Sequence, residues 1–296
     1  MKIKDIISQN KLSLSFEVFP PKTETSFESV KNATQEIAKL KPSFVSVTYG
    51  AGGDGASHYT LDIAKNIEDL YGVPTLAHLT CVSSTKQTVR EKIAQIKDYG
   101  ISNVMALRGD IPEALENSDQ SGWDYRHAID LITELKESGG DFCIGAACYP
   151  EIHPESKNQK EDIKYLKEKV DAGVDFLTTQ MFFDNNMLYS YLYQIQSKGI
   201  RVPVFAGIMP ITNSNQVSKM VKLSSAYIPA KLLSICDRFS ESPEAMRQAG
   251  IAYATDQIID LISNGVRGIH IYTMNKPSVA QEIYRNVDKI ISATNS

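Results

Sequence analysis

The sequence predicts an α/β protein that folds as a single (β/α)8 barrel of the TIM type over residues 1–296. Eight short runs of β-branched and apolar residues alternate with longer amphipathic segments, and each run has about the 4–8 residues of a buried parallel strand. No linker, low-complexity tract or internal repeat divides the chain. We therefore expect one closed barrel, with a doubly wound open sheet as the alternative fold.

The predicted elements follow one another as repeated strand–helix units. The predicted strands span residues 12–19, 44–49, 74–80, 103–108, 143–149, 176–182, 202–209 and 268–273. Between them, segments such as 26–39, 88–99 and 162–172 carry apolar side chains at helical spacing. The interval from 224 to 268 is longer than one unit needs. There we expect an extra helix opened by Pro229 before a main helix over 242–264.

Composition and charge narrow the possible partners. The net charge of -4 gives no overall basic field, so we expect no nucleic-acid partner. No apolar run approaches the roughly 18 residues that span a bilayer. The first residues lack the apolar segment of a secretory signal, so we expect a cytoplasmic protein without membrane contact. The four cysteines show no C-x-x-C spacing and are interpreted as packing residues.

Polar side chains collect where the predicted strands end, whereas the strand interiors are mostly apolar. All but the seventh strand carry such groups, namely Glu17, Thr48, Tyr49, His78, Arg108, Asp110, Tyr149, His153, Gln180, Asp184, Tyr272 and Lys276. Active sites of α/β barrels lie at this face, so the asymmetry predicts an enzyme. Individual residues also have structural interpretations. His78 fits a hydrogen-bonded core histidine, Arg108 with Asp110 fits an ion pair at the rim, and Asp184 fits a helix cap.

Glu17 is the leading acid–base candidate. It shares one face of its strand with Ser13 and Ser15, because side chains alternate along a strand. A carboxyl group among apolar neighbours can serve as a proton donor. The structural alternative is a rim salt bridge, for example with Arg108.

Two other patterns point to chemistry that we do not expect. Residues 50–55 fit the G-x-G-x-x-G loop of dinucleotide-binding folds, but the acid expected at the end of the next strand is missing. We interpret the segment as a glycine-rich active-site loop. His78, Asp110, Glu151 and His153 lack the tight spacing of metal ligands, so no catalytic metal is predicted.

At these strand ends the sequence resembles the methylenetetrahydrofolate reductase family, from residue 16 to about residue 276. The motifs that carry the resemblance are FEVFPP (16–21), FVSVTYGA (44–51), HLTC (78–81), ALRGD (106–110), YPEIHPE (149–155), KVDAG (169–173), TQMFFD (179–184) and YTMN (272–275). Several motifs in order, each at an expected strand end, make the resemblance specific.

The resemblance implies a flavoprotein that binds FAD noncovalently at the barrel mouth. It implies that NADH or NADPH reduces the flavin and leaves, after which 5,10-methylenetetrahydrofolate enters the same site and is reduced to 5-methyltetrahydrofolate. It also implies a homo-oligomer. The alternative is a cofactor-free barrel lyase or aldolase, which needs a Schiff-base lysine or a metal cluster that the sequence does not clearly show. A noncatalytic scaffold would leave the polar strand ends without a role.

Residue roles follow from the resemblance motif by motif. Glu17 looks like the general acid that protonates the folate, and Asp110 looks like a catalytic residue beside the flavin. Flavin contacts are implied for Thr48, Tyr49, Ala51, His78, Leu107, Arg108, Gly109, Asp110, His127, Ala128, Tyr149, His153, Asp162 and Lys169. Substrate or nicotinamide contacts are implied for Gln180, Gln216, Met220, Tyr272 and Lys276.

Three positions depart from the family pattern. His127-Ala128 stands where bacterial members often have Tyr-Ala, and Met220 stands where an aromatic residue or leucine is usual. Lys276 stands where arginine is usual. Lysine keeps the charge but lacks the two-pronged donor geometry for a carboxylate, so we expect weaker binding of the folate tail.

Overall fold

The eight predicted strands form a closed barrel in chain order, and the last strand pairs in parallel with the first. The computed structural model describes residues 1–21, 23–49, 56–111, 115, 119–120, 122–217 and 226–296. The strands are β1 (Ser13–Val18), β2 (Phe44–Val47), β3 (Thr75–Thr80), β4 (Asn103–Leu107), β5 (Cys143–Cys148), β6 (Phe176–Thr179), β7 (Val204–Ile208) and β8 (Gly268–Tyr272). The barrel prediction is confirmed. The open-sheet alternative is wrong, because both edge strands pair with each other.

Helices surround the barrel in alternation with the strands. Those described are α1 (Ile3–Gln9), α2 (Phe27–Ala38), α3 (Ala56–Tyr71), α4 (Lys86–Asp98), α5 (Ala128–Glu137), α6 (Gln159–Asp171), α7 (Asn185–Ser197), α8 (Ala230–Phe239), α9 (Pro243–Ser263) and α10 (Pro277–Asn295). Both α8 and α9 lie between β7 and β8, and α8 begins directly after Pro229. Among the described residues, no helix has the length and apolarity needed to cross a membrane.

Several strands end earlier than their hydrophobic runs. The predicted second strand extends to residue 49 and the sixth to residue 182, whereas β2 ends at Val47 and β6 at Thr179. The β1–β2 ladder stops at the pair Val18 and Val47. The ladders do not continue past these residues, although the Gln180 N–H still donates to the Cys148 carbonyl at 2.7 Å, and residues such as Tyr49 and Gln180 lie in loops. These loops form the mouth of the barrel.

The N-terminal end of the barrel is filled with apolar side chains and closed by α1. Phe44, Phe176 and Phe205 meet inside with ring centroids 5.1 to 6.0 Å apart. Ile3 of α1 is fully buried against this layer. Asn103 fixes the helix, because its Oδ1 accepts a hydrogen bond from the Ile3 backbone N–H at 2.8 Å. Burial of one such aromatic side chain contributes about 1.5–3 kcal/mol to the free energy of unfolding, so this apolar layer stabilises the N-terminal end of the barrel.

The main hydrophobic core lies between the outer face of the strands and the helices. Side chains cap the helices that begin at the barrel mouth: Thr85 caps α4, Asn158 caps α6 and Asp184 caps α7. Each accepts a hydrogen bond from a backbone N–H of the first turn that would otherwise be unpaired. The interpretation of Asp184 as a helix cap is therefore confirmed.

Asparagine side chains bind the backbone just outside both ends of β1. Asn295 accepts a hydrogen bond from the Leu12 N–H at 2.8 Å and donates to the Leu12 carbonyl at 3.0 Å. Asn275 accepts from the Phe19 N–H at 3.0 Å and donates to the Phe19 carbonyl at 2.8 Å. Because each amide satisfies both backbone groups of one residue, β1 is held beyond its ladder at either end.

Candidate active site

The C-terminal ends of the strands surround a cavity of about 840 Å³. The structure brings many of the predicted site residues together in its lining. These are Glu17, Thr48, Tyr49, His78, Leu107, Arg108, Gly109, Asp110, Tyr149, His153, Gln180 and Tyr272. A cavity of this size accommodates a cofactor-sized molecule.

Glu17 lies on the cavity wall near the end of β1, with 22% of its side chain exposed. Its Oε2 atom is 3.5 Å from His270 Nε2 and 3.7 Å from His78 Nε2. The main chain at Glu17 is also fixed, because its carbonyl accepts a hydrogen bond from Thr273 Oγ1 at 2.6 Å. The rim salt bridge with Arg108 is not formed, so Glu17 is a carboxyl group directed at imidazoles rather than at a cation.

The two histidines are held by serines from neighbouring strands. Ser46 Oγ is 2.6 Å from His78 Nε2, and Ser15 Oγ is 2.8 Å from His270 Nδ1. Burial lowers the pKa of His78 to about 4, although the nearby Glu17 acts in the opposite direction. His78 is therefore a neutral ring at pH 7. His78 fits the interpretation as a core histidine, because it is hydrogen-bonded in the interior. It also lines the cavity, where the resemblance implies a flavin contact.

Tyr272 has its hydroxyl group committed to the barrel wall. Its Oη donates to the Thr179 carbonyl at 2.7 Å, and the Gly207 N–H donates to Thr179 Oγ1 at 2.9 Å. Burial, with a smaller contribution from Glu17, raises the pKa of Tyr272 well above its ordinary value. Tyr272 therefore contributes an aromatic surface to the cavity rather than an acid.

Arg108 makes a two-pronged ion pair with Glu155 at the rim. The structural alternative, an ion pair between Arg108 and Asp110, is not formed. Hydrogen bonding to Glu155 raises the pKa of Arg108, and Asp110 makes a smaller contribution in the same direction. Asp110 itself is exposed and lines the cavity beside Gly109. The cavity mouth thus carries a permanent positive charge next to two carboxylates.

Tyr149 and His153 form one aromatic wall of the cavity, with their rings edge-on and their centroids 4.6 Å apart. Asp162 lies behind this wall and accepts a hydrogen bond from the His153 N–H at 3.3 Å. Lys169 is half-buried, and its Nζ donates to the Ala147 carbonyl at 2.7 Å. Desolvation lowers the pKa of Lys169. Asp162 and Lys169 thus support the lining rather than form it.

Lys276 and Gln216, two of the predicted substrate residues, both bond Thr212, which is not among the residues that line the cavity. Lys276 Nζ donates to Thr212 Oγ1 at 3.1 Å, and Gln216 Oε1 accepts from the Thr212 N–H at 2.9 Å.

His127 caps α5 and stacks on Tyr165 with a centroid distance of 6.4 Å. Neither His127 nor Ala128 is among the described residues that line the cavity. Ala51, Met220 and the glycine-rich segment 50–55 lie outside the described residues.

Sequence reasoning missed several residues of the site. Ser46 of β2 lies two residues before Thr48, and His270 of β8 lies two residues before Tyr272, so strand alternation could have found both. Lys92 reaches the lining from α4, with its Nζ 5.0 Å from the Tyr49 ring centroid. No local pattern distinguishes Lys92 from other helical lysines. Within the part of the chain that is described, no group of three acidic, histidine or cysteine side chains is arranged to hold a metal ion.

Comparison with known proteins identifies the family of this site. The family model for methylenetetrahydrofolate reductase matches residues 2–288. The chain belongs to the methylenetetrahydrofolate reductase family. It is 36% identical over 275 residues to the 5,10-methylenetetrahydrofolate reductase of Escherichia coli (strain K12), covering 93% of this chain and 90% of that relative.

Members of the methylenetetrahydrofolate reductase family differ in length. The methylenetetrahydrofolate reductase (NADH) 1 of Arabidopsis thaliana is 33% identical over 299 residues, covering 98% of this chain but 50% of the relative. The chain therefore spans about half the length of the plant relatives that it matches. Among solved structures, an uncharacterized protein from Clostridium thermocellum that binds two copies of 5-methyl-5,6,7,8-tetrahydrofolic acid has a TM-score of 0.65 at 13% identity, with 99% of this chain and 100% of that chain covered. That likeness concerns the fold alone.

Proposed function

We propose that this protein reduces 5,10-methylenetetrahydrofolate to 5-methyltetrahydrofolate, with NADH or NADPH as the electron source and FAD as the bound carrier. Family membership supports the reaction class. The observation that carries the proposal is the position of Glu17, an ionisable group on the wall of a cavity that is lined by most of the residues implied to contact the flavin. A reduction that opens a ring needs a proton donor at this place.

The chemistry of the cavity lining fits a flavin nucleotide. Tyr49 Oη and Thr178 Oγ1 are buried polar atoms of lining residues, and neither has a hydrogen-bond partner within the described structure. Such atoms cost free energy unless a ligand or water satisfies them. Arg108 and Lys92 bring positive charge suited to a diphosphate. When bound, FAD supplies the hydride transfer between the nicotinamide and the folate.

The residues of the chain have separate tasks in this proposal. Tyr49, Arg108, Tyr149 and His153, with Gly109 and Asp110, hold the cofactor. Asp162 and Lys169 keep the wall in place from behind. These residues would hold and orient the cofactor, which is the usual contribution of a protein to flavin chemistry.

Glu17, Gln180 and Tyr272 face the substrate in this proposal. Glu17 transfers a proton to a folate nitrogen, so that the bond between this nitrogen and the methylene carbon opens. Gln180 uses its Oε1 on the Met181 N–H at 2.9 Å, so its amide N–H groups are the end that remains to donate to a ligand. Tyr272 offers its ring face to a planar pterin or nicotinamide. Lys276 and Gln216 are proposed to meet the folate tail beyond the cavity.

Stopped-flow spectroscopy of the two half-reactions tests the function. The purified protein should be yellow, its flavin should be bleached by NADH or NADPH, and methylenetetrahydrofolate should restore the oxidised spectrum. Both substrates would use the same site in turn, so parallel lines are expected in double-reciprocal plots. A colourless protein that cannot be reconstituted with FAD would overturn the proposal.

Substitution of the proton donor tests its role. Glu17→Gln should still allow a nicotinamide to reduce the flavin. It should slow folate reduction by at least about 10²-fold, because the amide cannot supply the proton. Glu24→Gln, an exposed carboxyl shortly after β1, is the matched control and should leave both rates unchanged. Loss of both half-reactions in Glu17→Gln would assign Glu17 to cofactor binding or folding instead.

A further inference from the structure

Glu151 lies between two residues of the cavity wall but is not itself among the described residues that line the cavity. Tyr149 and His153, two positions away on either side, both line it. Glu151 Oε2 instead accepts a hydrogen bond from the Tyr227 N–H at 2.6 Å. The two residues are 76 positions apart in the chain. This bond therefore joins the loop after β5 to the segment directly before α8.

The loop after β5 is also fixed by contacts of its own. The Pro150 carbonyl accepts a hydrogen bond from Gln159 Nε2 at 3.1 Å, and the His153 N–H donates to Asp162 at 3.3 Å. Between these two anchors Ile152 has a φ angle of 90°. A β-branched residue keeps such a strained conformation only where the surrounding contacts impose it. Glu151 therefore extends from a rigid loop.

The segment before α8 enters an apolar cluster at the barrel mouth. This α8 cluster includes Met181, Met209, Ala226, Leu232 and Met246. Ile228 packs against the α8 cluster, whereas the side chain of Tyr227, between Ala226 and Ile228, is exposed. The main chain at Tyr227 is thus held in two ways, by the apolar packing of its neighbours and by the bond from its N–H to Glu151.

The α8 cluster adjoins two residues that are proposed to face the substrate. Tyr272 packs against it. Gln180 is joined to it through Met181, whose N–H donates to Gln180 Oε1 at 2.9 Å. The flavin wall, formed by Tyr149 and His153, lies at the other end of the Glu151 bond. The bond therefore spans the two walls between which flavin and substrate would meet.

The stability of the fold alone does not explain a carboxyl group at position 151. Glu151 Oε1 is a buried atom without a hydrogen-bond partner in the part of the chain that the structure describes. Burial raises the pKa of Glu151, whereas the Tyr227 N–H acts in the opposite direction and Asp184 adds to the effect of burial. A buried oxygen without a partner costs free energy that an apolar side chain would not. The favourable contact of this carboxyl group is the bond to Tyr227.

We propose that Glu151 is a positioning residue that holds the α8 cluster, and with it Tyr272 and Gln180, in register with the flavin wall. This rests on the proposed function. Without the bond the loop after β5 keeps its own anchors, but the segment 226–228 loses one of its two. Nicotinamide and folate would occupy the same site in turn. Loss of the bond should therefore weaken the binding of both and leave the binding of FAD unchanged.

Two substitutions of Glu151 separate the hydrogen bond from the packing of the side chain. Glu151→Met keeps roughly the length of the side chain but removes the acceptor, whereas Glu151→Gln keeps an acceptor oxygen for the Tyr227 N–H. Glu151→Met should raise the KM for the folate and for the nicotinamide by about tenfold and keep kcat within about twofold. Glu151→Gln should keep both KM values within about twofold. The dissociation constant for FAD should stay within about twofold in both variants.

Glu161 supplies a matched control in the same region of the chain. Its Oε2 accepts a hydrogen bond from the Lys157 N–H at 2.8 Å, which is also a carboxylate-to-backbone contact but does not reach the segment before α8. Glu161→Ala should change neither KM value. Thermal melting of each variant with FAD bound shows whether the fold is kept. Equal increases of KM in Glu151→Met and Glu151→Gln, or in Glu151→Met and Glu161→Ala, would overturn the positioning role.

Hydrogen exchange of the FAD-bound protein tests the contact without catalysis. The exchange rate of the Tyr227 amide, resolved by mass spectrometry with fragmentation, should rise at least about tenfold in Glu151→Met. It should stay at the wild-type value in Glu151→Gln and Glu161→Ala, and the His153 amide should be unaffected in all three. Equal Tyr227 exchange in the wild type and Glu151→Met would overturn the proposal. If the wild type reduced no folate, the proposed function would fail, and the exchange rates would still decide whether Glu151 holds the segment 226–228.

Discussion

Two adjacent threonines in β6 show how the surroundings of a hydroxyl group decide its effect on the fold. Thr179 Oγ1 accepts the Gly207 N–H at 2.9 Å and so links β6 to β7. Thr178 Oγ1 is buried at the cavity wall and has no hydrogen-bond partner within the described structure. A buried hydroxyl group without a partner costs about 1–3 kcal/mol, so the same side chain stabilises at one position and destabilises at the next.

Valine substitutions at these two positions should therefore act in opposite directions. In the cofactor-free protein, Thr178→Val should raise the free energy of unfolding by about 1 kcal/mol, because an isosteric methyl group replaces the unpaired oxygen. Thr179→Val should lower it by about 1–2 kcal/mol, since the Gly207 N–H loses its acceptor. Urea denaturation of both variants measures the difference. A loss of stability in Thr178→Val would mean that ordered water already satisfies this hydroxyl group.

His78 should make the free energy of unfolding depend on pH. Its pKa is about 4 in the folded protein and about 6.5 in the unfolded chain. Between these values the unfolded state binds the additional proton, so stability is complete above pH 6.5 and is lost as the pH falls toward 4. The loss amounts to roughly 3 kcal/mol.

Urea denaturation of the wild type and His78→Asn at pH 4 to 7 checks this. The difference between their unfolding free energies should shrink as the pH falls. Parallel pH profiles would show that the ring does not titrate in this range.

Substitution of Lys276 tests whether this cation contributes to binding of the folate tail. Lys276→Arg should lower the KM for the folate by a few-fold, because a guanidinium group can bind a carboxylate through two N–H groups. The KM for the nicotinamide should stay unchanged. Lys289→Arg on the exposed side of α10 is the control. An unchanged folate KM would count against a role of Lys276 in tail binding.

At the scale of elements, the close approach of β6, β7 and β8 depends on a missing side chain. A Cβ atom added to Gly207 would lie 2.4 Å from the Thr179 carbonyl oxygen and 2.8 Å from Tyr272 Oη. Neither atom can withdraw easily, since Tyr272 Oη and the Thr179 carbonyl bond each other. The glycine therefore lets the Tyr272 side chain approach β7 closely beside the cavity.

Gly207→Ala should displace the Tyr272 ring and weaken substrate binding. Overpacking of this kind costs about 1–3 kcal/mol of unfolding free energy. The KM for the folate should rise several-fold in steady-state kinetics, whereas the flavin absorption spectrum should change little. Gly122→Ala is the control, because an added Cβ there would meet nothing within 4 Å. Unchanged kinetics in Gly207→Ala would show that the Tyr272 ring is not part of the substrate site.

At the scale of the whole molecule, local patterns predicted the barrel but not the contacts across it. Each strand–helix unit carries its own hydrophobic period, so all eight strands could be located from nearby residues. The residue at which each strand ends depends on pairing with the neighbouring strand, and the hydrophobic period of one strand carries no information about that pairing. The Ser15–His270 contact joins residues 255 positions apart, across the closure between β1 and β8. Only the register of the closed barrel places that serine beside that histidine.

The asparagine contacts at both ends of β1 have a consequence for hydrogen exchange. The Leu12 and Phe19 amides lie just outside the strand, where backbone N–H groups ordinarily exchange with solvent deuterium through small local openings. Here each is bonded to a side chain, Asn295 at one end and Asn275 at the other. Both amides should exchange as slowly as the interior of β1. The strand that carries Glu17 would then open as one cooperative unit with α10 and the loop after β8, rather than fray from its ends.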